Sequence, residues 1–155
     1  MVGIPVFPSR VFRQSAFYIR SDGGVTGPED LAGKRVGVPE WGMTAVVYAR
    51  GWLMHQVGIP LGDIEWTQAG VNQPGRVEKI DLELPPGVHC QVMPERSLSD
   101  MLLAGDIDAI ISAAPPDPFR TGDGRVQRLY PDYRGVEEQY FRDTGIYPIM
   151  HTIAI

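Results

Sequence analysis

The chain has 155 residues, a net charge of −5 and a single cysteine, which allows one sizeable core and rules out an internal disulfide framework. An acidic balance argues against nucleic acid, whose phosphates call for a basic patch. No stretch approaches the roughly 18 to 20 apolar residues of a membrane span. Met1 to Arg10 contains two prolines and lacks the pattern of a secretion leader, so a cytoplasmic location is expected.

Gln14 to Arg20 alternates as a strand and ends at Ser21-Asp22-Gly23-Gly24. Gly27 to Leu31 predicts one helical turn, with proline at its first position and acids behind it. Lys34 to Val38 is a short strand stopped by Pro39. The strongest helical pattern runs from Met43 to about Gln56. Met43, Val46, Val47, Arg50, Leu53 and Met54 form its stripe, and Gly58 closes it. Arg50 interrupts that stripe, so a partner group is expected against it. Asp63 to Thr67 is a further short strand, and Val77 to Leu84 with Val88 to Val92 reads as a hairpin around Pro85-Pro86-Gly87.

Ser97 with Asp100 caps a helix whose stripe is Leu98, Met101 and Leu102 and whose end is Gly105. Asp108 to Ser112 is a continuous apolar strand of the buried, parallel kind. A proline-rich loop from Ala114 to Phe119 leads to a strand at Val126 to Tyr130. A polar helix at Asp132 to Asp143 and a long strand at Ile146 to Ile155 complete the chain. Alternating strands and helices predict an open α/β sheet. The long segments 14–20 and 146–155 bracket that sheet, as they would in a lobe inserted between two hinge crossings. Residues 1–155 are read as a single unit, with 1–30 and 145–155 as crossing segments and 31–144 as a second lobe.

Several residues have the chemistry to bind or transform an organic anion. Arg10 and Arg13, three apart, can converge on one anion if they stand in a turn, and Ser9 adds a hydroxyl beside them; the alternative is a pair of solvated surface charges. The turn Pro39 to Thr44 opens a helix, where backbone N–H groups and the Thr44 hydroxyl can face an anion; the alternative is that Thr44 only caps the helix. Arg76 stands on the loop tip Gln73-Pro-Gly-Arg76. Trp41 and Trp66 can stack on an aromatic ring or pack in the core. His151 lies in the last strand on the face of Tyr147, Ile149 and Ile153. Histidine side chains titrate near neutral pH and serve as proton donors, while a hydrogen-bonded core histidine is the alternative. His55, His89 and Cys90 have no partners at metal-ligand or nucleophile spacing. Gly33 and Gly37 match neither nucleotide fingerprint.

Ile4-Pro-Val-Phe-Pro-Ser-Arg10, Gly33-Lys-Arg-Val-Gly-Val-Pro39 followed by Met43-Thr44, Gln73-Pro-Gly-Arg76, Leu129-Tyr-Pro-Asp-Tyr-Arg134 and Gly145-Ile-Tyr-Pro-Ile-Met-His-Thr152 occur in this order. Together they resemble the 4,5-dihydroxyphthalate decarboxylase family, which is similar in fold to the two-lobed solute-binding proteins of transporters. The resemblance implies a periplasmic-binding-protein-like (type II) lobe, with an open mixed sheet, helices on both faces and two hinge-crossing strands. It also implies non-oxidative decarboxylation of a dihydroxylated aromatic dicarboxylate, without metal or organic cofactor. Ser9, Arg10, Arg13, Thr44 and Arg76 are expected to bind the acid, and His151 to donate the proton. The partner implied is a small aromatic or organic acid, with neither nucleic acid nor a membrane span; a homo-oligomer is compatible with it. The alternative on the same fold is a non-catalytic solute-binding module for a small organic acid.

Overall fold

Short apolar strands whose alternate residues are both buried need cover on two faces. The computed structural model, which describes residues 1–155, provides it. In chain order the elements are β1 (Gly3–Arg10), β2 (Phe17–Arg20), β3 (Arg35–Val38), α1 (Thr44–Trp52), β4 (Glu65–Gly70) and β5 (Cys90–Ser97). They continue with α2 (Leu98–Ala104), β6 (Ala109–Ile111), α3 (Asp117–Arg120), β7 (Val126–Arg128), α4 (Tyr133–Thr144) and β8 (Ile149–Ala154). Six strands form one mixed sheet in the order β5-β4-β3-β6-β2-β7. Strands β5, β4, β3 and β6 run parallel, and β2 is antiparallel to both β6 and β7.

Side chains on one face, including Phe17, Ile19, Val36, Val38, Ala109 and Ile111, pack with Val46 and Ala49 of α1 and with Leu53 just beyond it. Tyr18 and Ile110, the residues between, face the other way and join Leu98, Met101 and Leu102 of α2. The fold is therefore α/β, with a helix over each face. Gly37 sets how closely α2 approaches: a Cβ there would lie 2.6 Å from Leu98 Cδ2 and 2.8 Å from Ile107 Cδ1. From β3 the chain passes through α1 to β4 on one side, while β6 on the other side arrives from β5 through α2. The β3–β6 boundary is thus a topological switch point, and the crevice outside the carboxyl ends of those strands is where open α/β sheets receive ligands. Strand β2 starts at the same edge and β7 ends there.

The remaining strands, β1 and β8, form a separate antiparallel ribbon. The opening and closing segments do run side by side, but the partner of β8 is Gly3–Arg10, not residues 14–20. Gln14–Ala16 is a 3₁₀ turn closed by the Ala16 N–H on the Arg13 carbonyl, and the strand is only Phe17–Arg20, lying inside the six-stranded sheet. Pro5 and Pro8 are tolerated in β1 because the register shifts between Ile4 and Ser9.

The expected hairpin at 77–92 is absent. Residues 77–84 make no backbone–backbone hydrogen bonds, and β5 pairs in parallel with β4, Trp66 opposite Cys90 and Gln68 opposite Val92. Helix α1 turns its stripe slightly: Ala45, Val46, Ala49 and Arg50 are buried, whereas Val47 and Met54 are exposed. It ends in a π-helical turn, Leu53–Val57, closed by Gly58 at φ 85°. No helix is long and apolar enough to cross a membrane.

Candidate functional site

Strand β3 delivers the chain to the carboxyl edge at Pro39, and the next residues turn into α1. Met43 takes the N-cap position without a side-chain bond, so Thr44 is the first helical residue and does not cap. The N–H groups of Trp41 and Gly42 donate to the Glu78 carboxylate at 2.5 and 3.3 Å. Arg76 lies at the same turn. Its Nε and Nη2 reach Glu40 Oε1 at 2.8 and 2.6 Å, and Glu40 itself is buried. Gln68, buried on β4, donates from Nε2 to the carbonyls of Pro39 (3.0 Å) and Arg76 (3.2 Å). These bonds pin loop 73–76 against the β3–α1 turn and direct the Arg76 charge inward to Glu40.

Both tryptophans belong to the core. Trp41 and Trp66 meet edge to face with centroids 5.3 Å apart, and Trp66 Nε1 donates to the Leu61 carbonyl. The group expected against Arg50 is the Trp41 indole, whose centroid lies 3.4 Å from the guanidinium carbon. Arg50 Nη1 has no hydrogen-bond partner. Burial lowers the Arg50 pKa to about 10, opposed by the nearby Cys90 and Glu78. Burial likewise pushes the Cys90 thiol up to about 11, which keeps it protonated and unsuited to nucleophilic attack.

Farther along the edge, Asn72 Nδ2 donates to the Pro115 carbonyl, and its Oδ1 accepts from the Ser99 hydroxyl and the Asp117 N–H. The loops after β4 and β6 are thereby tied together. Glu40, Gln68 and Asn72 escape a reading by local pattern because their partners lie 8 to 45 positions away. Their one local signal is position: a polar side chain at or just past the end of a buried strand.

On the ribbon, Ser9 stands directly opposite His151 and Arg10 opposite Ile149; directly opposed residues share a face within side-chain reach. His151 is solvent-exposed and Ser9 half-buried, so His151 is not a core histidine; the buried residue of β8 is its neighbour Met150. Arg10 donates from Nη2 to the Tyr147 carbonyl at 2.7 Å and lies 4.5 Å from the centroid of the Tyr147 ring. Arg13 donates from Nε to Met150 Sδ at 3.0 Å, and burial lowers its pKa while Glu137 opposes that shift. The two arginines therefore grip different residues of the segment entering β8 rather than one common point. A cavity of about 250 Å³ at the base of the ribbon is lined by Phe12, Glu138, Phe141, Arg142 and Tyr147. The largest cleft, about 700 Å³ between the end of α1 and α4, includes Trp52 and Tyr130 and none of the six expected site residues. No three or more His, Cys, Asp or Glu side chains gather as a metal site.

The structure thus gathers the expected residues into two groups. Thr44 and Arg76 lie at the carboxyl edge of the sheet, and Ser9, Arg10 and His151 on the ribbon, with Arg13 bonded to Met150 of β8.

No family model matches the chain. It is similar to the 4,5-dihydroxyphthalate decarboxylase of Comamonas testosteroni, 41% identical over 155 residues that cover 99% of this chain and 47% of the relative. It is also similar to the 4,5-dihydroxyphthalate decarboxylase of Pseudomonas putida, 42% identical over 142 residues, 91% of this chain and 55% of the relative. The chain spans about half the length of these curated relatives. Identity at that level is sustained over nearly the whole of this chain, which is therefore similar to one part of each of these 4,5-dihydroxyphthalate decarboxylases.

Proposed function

We propose that this chain forms the sheet-bearing lobe and the crossing ribbon of a carboxy-lyase that decarboxylates a dihydroxylated aromatic dicarboxylate. The observation that carries this reading is the 41–42% identity to two decarboxylases along 91–99% of the chain. The architecture proposed is a type II binding-protein-like lobe, supported by the switch point between β3 and β6. Since β2 runs within the sheet, the crossing is assigned to residues 1–10 and 145–155, and the lobe to the residues between. The working compartment proposed is the cytoplasm, and the partner a small aromatic acid.

The chemistry needs only a proton and a well-held ring. A hydroxyl para to the departing carboxylate feeds electron density into the ring. The His151 imidazolium donates a proton to the carbon that bears that carboxylate. The C–C bonding pair then returns to the ring, carbon dioxide leaves, and aromaticity is restored. Arg10 and Arg13 offer cationic hydrogen-bond donors for the retained carboxylate, with the Ser9 hydroxyl beside His151. Thr44 offers its hydroxyl from the edge of the sheet, and Arg76, whose charge is matched by Glu40, holds the turn beside it in place.

The test is to incubate the purified chain, and in parallel a full-length relative, with 4,5-dihydroxyphthalate and to follow the ultraviolet spectrum of the ring. Replacing a general acid costs about 100-fold or more in rate. Turnover by the chain that falls by that factor in His151→Ala supports the assignment. Saturable binding without turnover leaves an acid-binding module instead. No response from the chain, while the relative turns over, removes the assignment for this chain.

A further inference from the structure

The β3–α1 turn already holds a carboxylate, and that carboxylate belongs to the chain itself. Glu78 accepts the N–H groups of Trp41 and Gly42, the donors that a helix-opening turn presents to an anion. Beneath the turn, Arg50 is buried, stacks on Trp41 and leaves Nη1 without a partner. A buried cation with an unmet donor costs stability unless an anion comes near it, and the Glu78 carboxylate opposes the burial that lowers the Arg50 pKa.

The segment carrying Glu78 is held by side chains alone. Residues 77–84 have no backbone–backbone hydrogen bond and belong to no helix or strand. Side chains hold them: the Glu78 carboxylate on the turn, and Leu82 and Leu84 packed against the main core. Val77 and Ile80 remain exposed. Gly42 makes the fit, since a Cβ there would lie 2.8 Å from Leu82 Cδ1 and 3.1 Å from Glu78 Oε1. Under the segment is a cavity of about 170 Å³ whose lining includes Trp41, Gln68, Glu78, Leu84 and Cys90.

We propose that the turn at Trp41 and Gly42, over the unpartnered Arg50, is a carboxylate seat in which Glu78 acts as a resident placeholder, displaced when an acid ligand binds. The inference rests on the reading of the sheet's carboxyl edge as the acid-binding side. It adds a specific seat and a strap, residues 77–84, that must leave before the seat is free. A tethered competitor lowers apparent affinity by the fraction of time the seat is open. Removing it therefore tightens binding.

The experiment compares the intact chain with Glu78→Ala, titrated calorimetrically with phthalate and separately with acetate, while tryptic cleavage after Lys79, exposed within the strap, is followed. Glu78→Ala is expected to bind phthalate about tenfold more tightly, and phthalate is expected to speed cleavage after Lys79 in the intact chain. Gly42→Ala, which pushes a methyl group into Leu82, gives a second reading: cleavage after Lys79 speeds up without any ligand. Equal phthalate affinity in the two chains with unchanged cleavage overturns the seat and leaves the proposed function standing. Binding of acetate but not phthalate by Glu78→Ala keeps the seat and removes the aromatic acid. No binding of either probe by either chain overturns both.

Discussion

The six-stranded body and the two-stranded ribbon solve the problem of apolar residues in opposite ways. In the body, alternate residues of β2 and β6 go to opposite layers and are all but sealed from solvent. In the ribbon, Val6 and Phe7 of β1 and Ile153 of β8 stay exposed, and only Met150 is buried. An isolated pair of strands has no second layer and is marginal by itself. The ribbon is nevertheless where Ser9 and His151 meet. A rigid sheet thus fixes the edge that offers Thr44 and the Trp41–Gly42 N–H pair, while the proposed proton donor stands on an element that contributes little to the core.

The sharpest way to break that contrast is to truncate one buried side chain. Leu98 is fully buried among the α2 cluster, and Leu98→Ala should cost about 3 kcal/mol, the lost transfer energy plus the cavity left behind. Urea unfolding followed by circular dichroism measures it. A cost below about 1 kcal/mol would mean that α2 packs loosely and that the body is no more rigid than the ribbon.

The same contrast governs what could be read before the structure. The strand ending in Ile110-Ile111 and the helix after Ser97 are legible because their patterns are local: a continuous apolar run, and a cap followed by a stripe. Residues 77–84 alternate just as well, yet only Leu82 and Leu84 pack against the main core, Val77 and Ile80 stay exposed, and the segment has no strand partner. Parallel pairing of β5 with β4 leaves no local signal either, because its partner lies 24 residues earlier, Trp66 opposite Cys90. In the candidate site, Arg10 and His151 can be singled out by residue type. That Arg76 turns to Glu40, and that Glu78 fills the turn, depends on contacts 36 or 37 positions apart, which no window of sequence contains.

A smaller effect separates the two halves of the body. Asp108 joins β6 to β3: its carboxylate accepts from the Arg35 N–H (2.9 Å), Nε (3.0 Å) and Nη2 (2.8 Å). Burial raises its pKa, but the hydrogen bonds and charge of Arg35 outweigh that and leave it lowered. A carboxylate held below its unfolded value of about 4 stabilises the fold fully above that value, and the contribution is lost as pH falls through the folded pKa. With Arg35 half-exposed, Asp108→Asn should cost about 1 kcal/mol at pH 7 and flatten the loss of stability below about pH 4. Parallel acid unfolding curves for the two proteins would show that the pair does not couple β3 to β6.

The smallest effect belongs to the ribbon. Phe7 is largely exposed and lies where the β1–β8 register shifts, so Phe7→Ala removes little buried area and should move stability by less than about 0.5 kcal/mol. His151→Ala should be equally silent in unfolding, since the imidazole is exposed, even though it is expected to lower turnover about 100-fold or more. The pair of measurements separates a structural residue from a chemical one: a loss of activity with no change in unfolding marks His151 as acting on the ligand. A loss of more than about 2 kcal/mol from either substitution would instead make the ribbon part of the cooperative core, and a fall in activity at His151 could then be no more than unfolding.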